Sequence, residues 1–278
     1  MFDDRWWMLL GAGVYTTALL ITLLNLSKKR HETSASLVAG VLAIGFVLQS
    51  IGLYWRGLEV RSCPIGNPFE VLQFISWSTM AVYFLAGSIF RMSLLGVFAA
   101  GVSAILSLIS VVIPTWDYDH PSLFGGNPWI ESHAALALFS YGVFGLLAAT
   151  SAMYLLQNYG LKRKQVQGIY THLPSVIQLD TVNQRLAIVG ASVFSFAMVI
   201  GSVHWLSEHG DVTTAKLKIT IVLWIAYVVL AILRILKKLR GKRFAWSALI
   251  LFAFALATLA IVQRSPEPLD EPSSLSAR

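Results

Sequence analysis

Two histidines stand at matching ends of long apolar runs. His133, in "GNPWIESHAALALFSYG" (residues 126–142), opens one run, and His204 closes another. Imidazole is a common axial ligand to haem iron, and Trp116, Trp129 and Trp205 fall at the same expected depth. Two histidines facing each other beside these rings would make a flat apolar shelf for haem. A second reading fits the same residues. Tryptophan gathers at membrane–water boundaries for physical reasons alone, and six of the nine tryptophans fall at this boundary. A polar residue at a helix end also costs far less than one at the bilayer centre. Both readings stand on residue type and spacing.

Glu70 is the other candidate. In "CPIGNPFEVLQFISW" it occupies the first turn of an expected helix, where a carboxylate complements the helix dipole. An acid facing a bundle interior is also a functional candidate, and Trp77 lies seven residues on, on the same helix face. His31 and His172 fall in basic loops, where solvation explains them; His120 and His209 fall on the His133 side. The single cysteine, Cys63, excludes an intramolecular disulfide and any Cys-x-x-Cys site. No phosphate-binding loop, dinucleotide fingerprint, His-Glu-x-x-His or Ser/His/Asp cluster is evident, so no conventional catalytic site is expected.

The elements that must position these residues are membrane helices. The chain has 278 residues, 56% hydrophobic and 13% charged, with mean hydropathy +0.68; ordinary soluble domains carry about 25% charged residues. Eight apolar runs, at about 6–27, 34–55, 69–90, 93–113, 131–157, 185–206, 217–236 and 244–263, each reach the roughly 20 residues that a span needs. Backbone groups in lipid must be satisfied within the segment, so the runs are helices. The expected fold class is all-α, a polytopic membrane protein of about eight transmembrane helices. Residues 1–263 read as one membrane domain. Residues 264–278, Pro/Ser-rich and acidic, read as a disordered tail.

The net charge of +7 does not indicate nucleic acid, because of its distribution. With eight spans the connections alternate sides, and one side receives 14 of the 21 basic residues with only Glu32 and Asp180 as acids. The positive-inside rule makes that side cytoplasmic and puts both termini outside; anionic lipid would add to the effect. The first run is long and lacks a basic n-region, so a cleaved signal peptide is not expected. The longest cytoplasmic connection contains "LPSVIQLDTVNQRL", whose apolar residues at helical spacing suit a segment lying along the inner interface.

Several stretches together resemble the cytochrome c assembly family of CcsA/HemX-like integral membrane proteins. "CPIGNPFEVLQFISW" is similar to that family's Pro…Asn-x-x-Glu-x-x-x-Phe-x-x-Trp segment. "WIESHAALALFSYGVFGLLAATSAMYLLQ" is similar to its His-led helix, and "LPSVIQLDTVNQRLAIVGASVFSFAMVIGS" to its Leu-Pro…Leu-Asp…Arg…Gly segment. "RGKRFAWSALILFAF" is similar to the start of its last helix. The likeness covers roughly residues 40–262. It implies haem delivery to apocytochrome c on the outer face, a tryptophan-rich cradle ending in Trp-x-Trp-Asp, and flanking histidine ligands, of which His133 matches the first. The chain departs from the pattern at three places. "LSEHGDVTTAKLKITIVL" stands where Trp-x-Trp-Asp is expected, Ile232 stands at an inner histidine position, and no histidine follows the last helix. These departures bring it closer to the stand-alone HemX-like branch.

The expected function is therefore a haem-handling factor in a bacterial inner membrane. It would act in cytochrome c maturation with other maturation proteins and catalyse no bond chemistry of its own. His133 and His204 would be the iron ligands, with Trp116, Trp129 and Trp205 as the stacking surface and Glu70 and Trp77 as further cofactor contacts. The alternative is a HemX-like regulator of haem biosynthesis acting through its cytoplasmic loops, with residues 161–185 and 234–243 as its active parts. A small-solute transporter fits less well, because no internal repeat or pair of broken helices is seen.

Overall fold

The structure is a computed structural model that describes residues 4–27, 35–90, 94–118, 127–164, 169–208 and 214–262. The elements are α1 (Asp4–Ser27), α2 (Ala35–Val60), α3 (Pro68–Phe90), α4 (Leu95–Val112), a 3-10 turn (Pro114–Trp116), α5 (Pro128–Lys162), a short α6 (Ile169–His172), α7 (Val176–Glu208), α8 (Thr214–Ile235) and α9 (Gly241–Val262). No strand occurs among the described residues. Eight of these helices are long and apolar enough to cross a bilayer, in the order expected.

Local chemistry sets the helix starts. Asn67 precedes α3 and its Oδ1 accepts from the Glu70 backbone N–H at 2.8 Å. Pro68 follows at the first helical position, where a missing N–H costs nothing. The same Asn-Pro pair starts α5, with Asn127 accepting from the Trp129 N–H at 3.1 Å. That cap begins the helix at Pro128, three residues before the start read from hydropathy alone.

α7 is also longer than expected. The segment "LPSVIQLDTVNQRL", expected along the inner interface, instead forms the first turns of a continuous 33-residue helix. Ser175 and Gln178 form a reciprocal capping box, each side chain bonding the other's backbone N–H at 3.2 Å. Leu179, Val182, Asn183 and Leu186 are then buried. Their spacing is that of a helix face packed against protein.

α5 is the seam of the bundle. It packs along α7, α3, α9 and α4, while α1 packs on α2 and α4, and α8 links α7 to α9. Every residue from Ser140 to Ser151 is buried, so this helix is enclosed on all sides. Phe144 stacks on Tyr227 of α8 with centroids 3.4 Å apart and planes 4° apart. The outward faces of α1, α2, α8 and α9 expose Ile21, Ile44, Val222 and Ile250, apolar side chains that suit lipid.

The seam requires close approach at Gly142. A Cβ there would lie 2.1 Å from Ser78 Oγ and 2.7 Å from the Ser78 backbone carbon, a clash no rotamer change can relieve. At Gly13 of α1 a Cβ meets nothing within 4 Å. Gly142→Ala is expected to destabilise the bundle by about 1–3 kcal/mol in thermal unfolding in detergent, whereas Gly13→Ala is expected to be neutral or slightly stabilising. Equal melting temperatures for the two variants would contradict this packing.

Candidate functional site

One end of the bundle gathers the start of α1, the end of α2, the starts of α3 and α5, and the 3-10 turn after α4. Its centre is Arg56, in the last turns of α2. The buried guanidinium donates through Nε to Glu70 Oε1 at 2.7 Å, through Nη1 to Asp4 Oδ2 at 3.3 Å, and through Nη2 to Asp117 Oδ1 at 2.6 Å. Arg5 adds a contact to Asp117 Oδ2 at 3.2 Å and lies over the Phe69 ring, 5.4 Å from its centroid. Asn67 donates to the Tyr118 carbonyl at 3.1 Å, so the residue that caps α3 also holds the two residues that follow the 3-10 turn.

Glu70 belongs to this cluster. Its second oxygen accepts from the Gly66 N–H at 2.7 Å, and its side chain is fully buried. Trp77 and Trp116 flank one small apolar group made by Met8, Leu53 and Phe69. Trp77 sits about 10 Å deeper along α3 than Glu70; its indole donates to Ser50 Oγ at 2.8 Å and stacks on Phe46. Glu70 and Trp77 thus both bond α2 partners, as their shared helix face requires.

A polar column continues below. Gln49 Nε2 donates to Gln73 Oε1 at 2.8 Å and to Ser76 Oγ at 3.1 Å, and Gln73 Nε2 donates to Ser110 Oγ at 3.0 Å. Ser76 and Ser103 each donate to the other's backbone carbonyl at 3.0 Å. Tyr15 closes the column by donating to Gln49 Oε1 at 3.2 Å. These bonds tie α1 to α4 in a region where lipid offers no substitute partners.

His133 and Trp129 stand on the other side of the same end. His133 is half-buried, and its Nδ1 lies 2.7 Å from the Ala197 carbonyl oxygen of α7. Trp129, one turn earlier on α5, is 65% exposed. No hydrogen bond joins His133 to Glu70, Trp77 or Trp116 among the described residues. The two halves are joined by the packing of α3 against α5. Cys63, in the α2–α3 loop, has its thiol pushed up to about 11 by burial, then by the Glu131 and Glu70 carboxylates. Glu131 lies two residues before His133. His204 and Trp205 fall in the last turns of α7 with side chains outside the described part, and His31, His120 and His209 lie outside the described residues.

The opposite end holds a second ion pair. Arg234 of α8, buried, donates through Nη2 to Asp180 Oδ2 at 2.5 Å and to the Asp180 carbonyl at 3.0 Å. Its guanidinium lies over the Phe244 ring of α9. This pair joins α7, α8 and α9 as Arg56 joins α1, α2 and α3.

A family model described as cytochrome C assembly protein matches residues 65–264, which takes in Glu70, Asp117, the Arg234–Asp180 pair and the α5–α7 seam and begins after Arg56. The chain belongs to the cytochrome c assembly protein family. Within it, the chain is similar to the Protein HemX of Brevibacillus brevis, 26% identical over 72% of this chain and 74% of that one. It is also similar to the Protein HemX of Bacillus subtilis (strain 168), 22% identical over 77% and 79%. To the cytochrome c biogenesis protein CcsA of Gloeobacter violaceus it is 26% identical, over 50% of this chain and 40% of that protein. This is a multi-pass membrane member of the family.

Arg56 was not singled out from sequence, although a cation immediately after the end of an apolar run was the available signal. Its three carboxylates come from chain positions 4, 70 and 117, so no local spacing foretells them. Arg56→Leu leaves those acids buried without their shared cation and is expected to destabilise the protein by about 3–5 kcal/mol. Arg56→Lys, which keeps charge but loses the fork, should fall between. Thermal unfolding in detergent ranks the three. Cys63 gives a separate check. Its alkylation near neutral pH is expected to run at least about tenfold slower than that of an unperturbed thiol, and to keep accelerating up to pH 11. A rate that levels off near pH 8 would refute the burial of this thiol.

Proposed function

We propose that this family member binds haem at the His133 end of its bundle and presents it for cytochrome c assembly. The observation that carries the reading is the setting of His133. A backbone carbonyl only accepts, so Nδ1 carries the hydrogen and the neutral ring keeps its lone pair on Nε2. That is the arrangement found around metal-ligating histidines, whose other ring nitrogen is held by a carbonyl or carboxylate. The ring is half-buried at a bundle end, within reach of a ligand entering from the interface. The residues present therefore fit an axial ligand. Haem, when bound, supplies an iron with axial positions open to imidazole.

Trp129, exposed one turn away, is the nearest aromatic surface on the same helix, and His204 is the candidate for a second ligand from α7. Trp205 and Trp116 would extend the apolar wall. Glu70 and Trp77 would act by fixing the Trp116 turn, through Arg56 and Asp117 and through the Met8–Leu53–Phe69 group. The excess of basic residues at the Arg234 end supports an orientation with His133 on the outer face of a bacterial inner membrane. Apocytochrome c and other maturation proteins would then be its partners on that face.

The test is a pyridine haemochrome assay on the full chain purified in detergent. Wild type is expected to carry haem, and His133→Ala to lose most of it, by about tenfold or more in affinity. No haem in wild type, or equal haem in the variant, overturns the assignment. In the first case the second reading takes its place. Arg163, Lys164, Lys237, Lys238, Arg240, Lys242 and Arg243 are all exposed, and α5 packs along α9, which brings their ends together. That surface suits an acidic cytoplasmic partner, as expected for a HemX-like regulator of haem biosynthesis.

A further inference from the structure

We propose that Gly201 of α7 is a positioning residue for His133, selecting which imidazole nitrogen is left to bind iron. The proposal rests on the haem reading only for what that nitrogen meets. Its physical basis is the shape of α7 at one turn.

In an α-helix the carbonyl of residue 197 accepts from the N–H of residue 201, which uses one of its two lone pairs. Side chains lean toward the helix N-terminus, so the side chain at 201 ordinarily covers the turn that begins at 197. Glycine has nothing to cover it with. The imidazole of His133 occupies the space instead: a Cβ on Gly201 would lie 2.5 Å from its Cε1, 2.6 Å from its Nδ1 and 3.1 Å from its Cγ. From that seat Nδ1 reaches the second lone pair of Ala197 at 2.7 Å. The missing side chain therefore does two things, opening the acceptor and admitting the ring.

Helix packing alone does not require this arrangement. Gly142 and Gly190, on the same bundle seam, admit Ser78 and Phe144, neither of which has a tautomer to select. At Gly201 the admitted group has two nitrogens of different fate. With Nδ1 held as a donor, Nε2 is the only ring nitrogen with a lone pair, and it makes no hydrogen bond to any described residue.

The experiment uses the full chain in detergent, labelled with 15N-histidine and free of haem, with the His133 resonances assigned by their loss in His133→Gln. Wild type is expected to show His133 protonated at Nδ1 and unprotonated at Nε2. Gly201→Ala should lose that signature, while Gly40→Ala, where a Cβ meets nothing within 4 Å, should keep it. Hemin titration should then give an affinity about tenfold or more weaker for Gly201→Ala, restored in part by added free imidazole. A wild-type ring protonated at Nε2 overturns the proposal without any variant. So does Gly201→Ala that keeps both the Nδ1–H signature and wild-type hemin affinity. If the signature is present in wild type and lost in Gly201→Ala but neither protein takes up hemin, the positioning role stands and the haem reading falls.

Discussion

Arg56 reaches carboxylates from three distant stretches of chain, and its burial leaves little water to replace any of them. A buried guanidinium is costly unless its hydrogen bonds are completed within the protein. That requirement brings the start of α1, the end of α2, the cap of α3 and the turn after α4 to one point. The Trp116 turn is held because Asp117 is one of the three partners. The glutamines and serines beneath extend the same rule through the depth of the first four helices, each amide or hydroxyl finding its partner on a neighbouring helix. Apolar packing alone would hold these helices together weakly, since lipid tails compete for the same contacts.

The second half of the bundle obeys a different constraint. α5 is enclosed over Ser140–Ser151, and its approach to α3 and α7 is set by glycines at the contact points. The polar bonds between helices are fewer here: Arg234 with Asp180 at one end, His133 with Ala197 at the other, and Trp224 with Ser195 between them. Such a seam fixes the depth and rotation of α5, and with them the place of His133. The candidate haem site is thus placed between a rigid polar cluster on one side and a close-packed helix pair on the other. Its imidazole is oriented by backbone, which no substitution can remove directly.

Family membership and geometry bear on different questions. The match over residues 65–264 establishes the class of protein. The more extensive likeness to proteins named HemX, against partial cover of one named CcsA, agrees with the missing Trp-x-Trp-Asp stretch. The setting of His133 bears on what this member retains. The haem proposal rests on that setting, a ring whose Nδ1 is held by the Ala197 carbonyl of α7.

The sequence by itself determined the eight crossings, because apolar length over roughly 20 residues leaves the backbone no other way to satisfy its hydrogen bonds. The caps at Asn67 and Asn127 are equally local, since a cap acts on N–H groups two or three residues away, although hydropathy alone put the start of α5 three residues late. The first turns of α7 were misplaced for the complementary reason. Pro174 and the capping box mark a helix start, but only burial of Leu179 and Val182 against neighbours decides that the helix runs unbroken into the membrane. Likewise Glu70 was legible as a helix-start carboxylate, and its Arg56 partner was not. His133 was legible as a residue at a helix end, yet its tautomer depends on a carbonyl 64 residues away and a glycine beside it. Short-range hydrogen bonding and hydropathy are written along the chain. Which nitrogen faces which oxygen across two packed helices is decided by the packing itself.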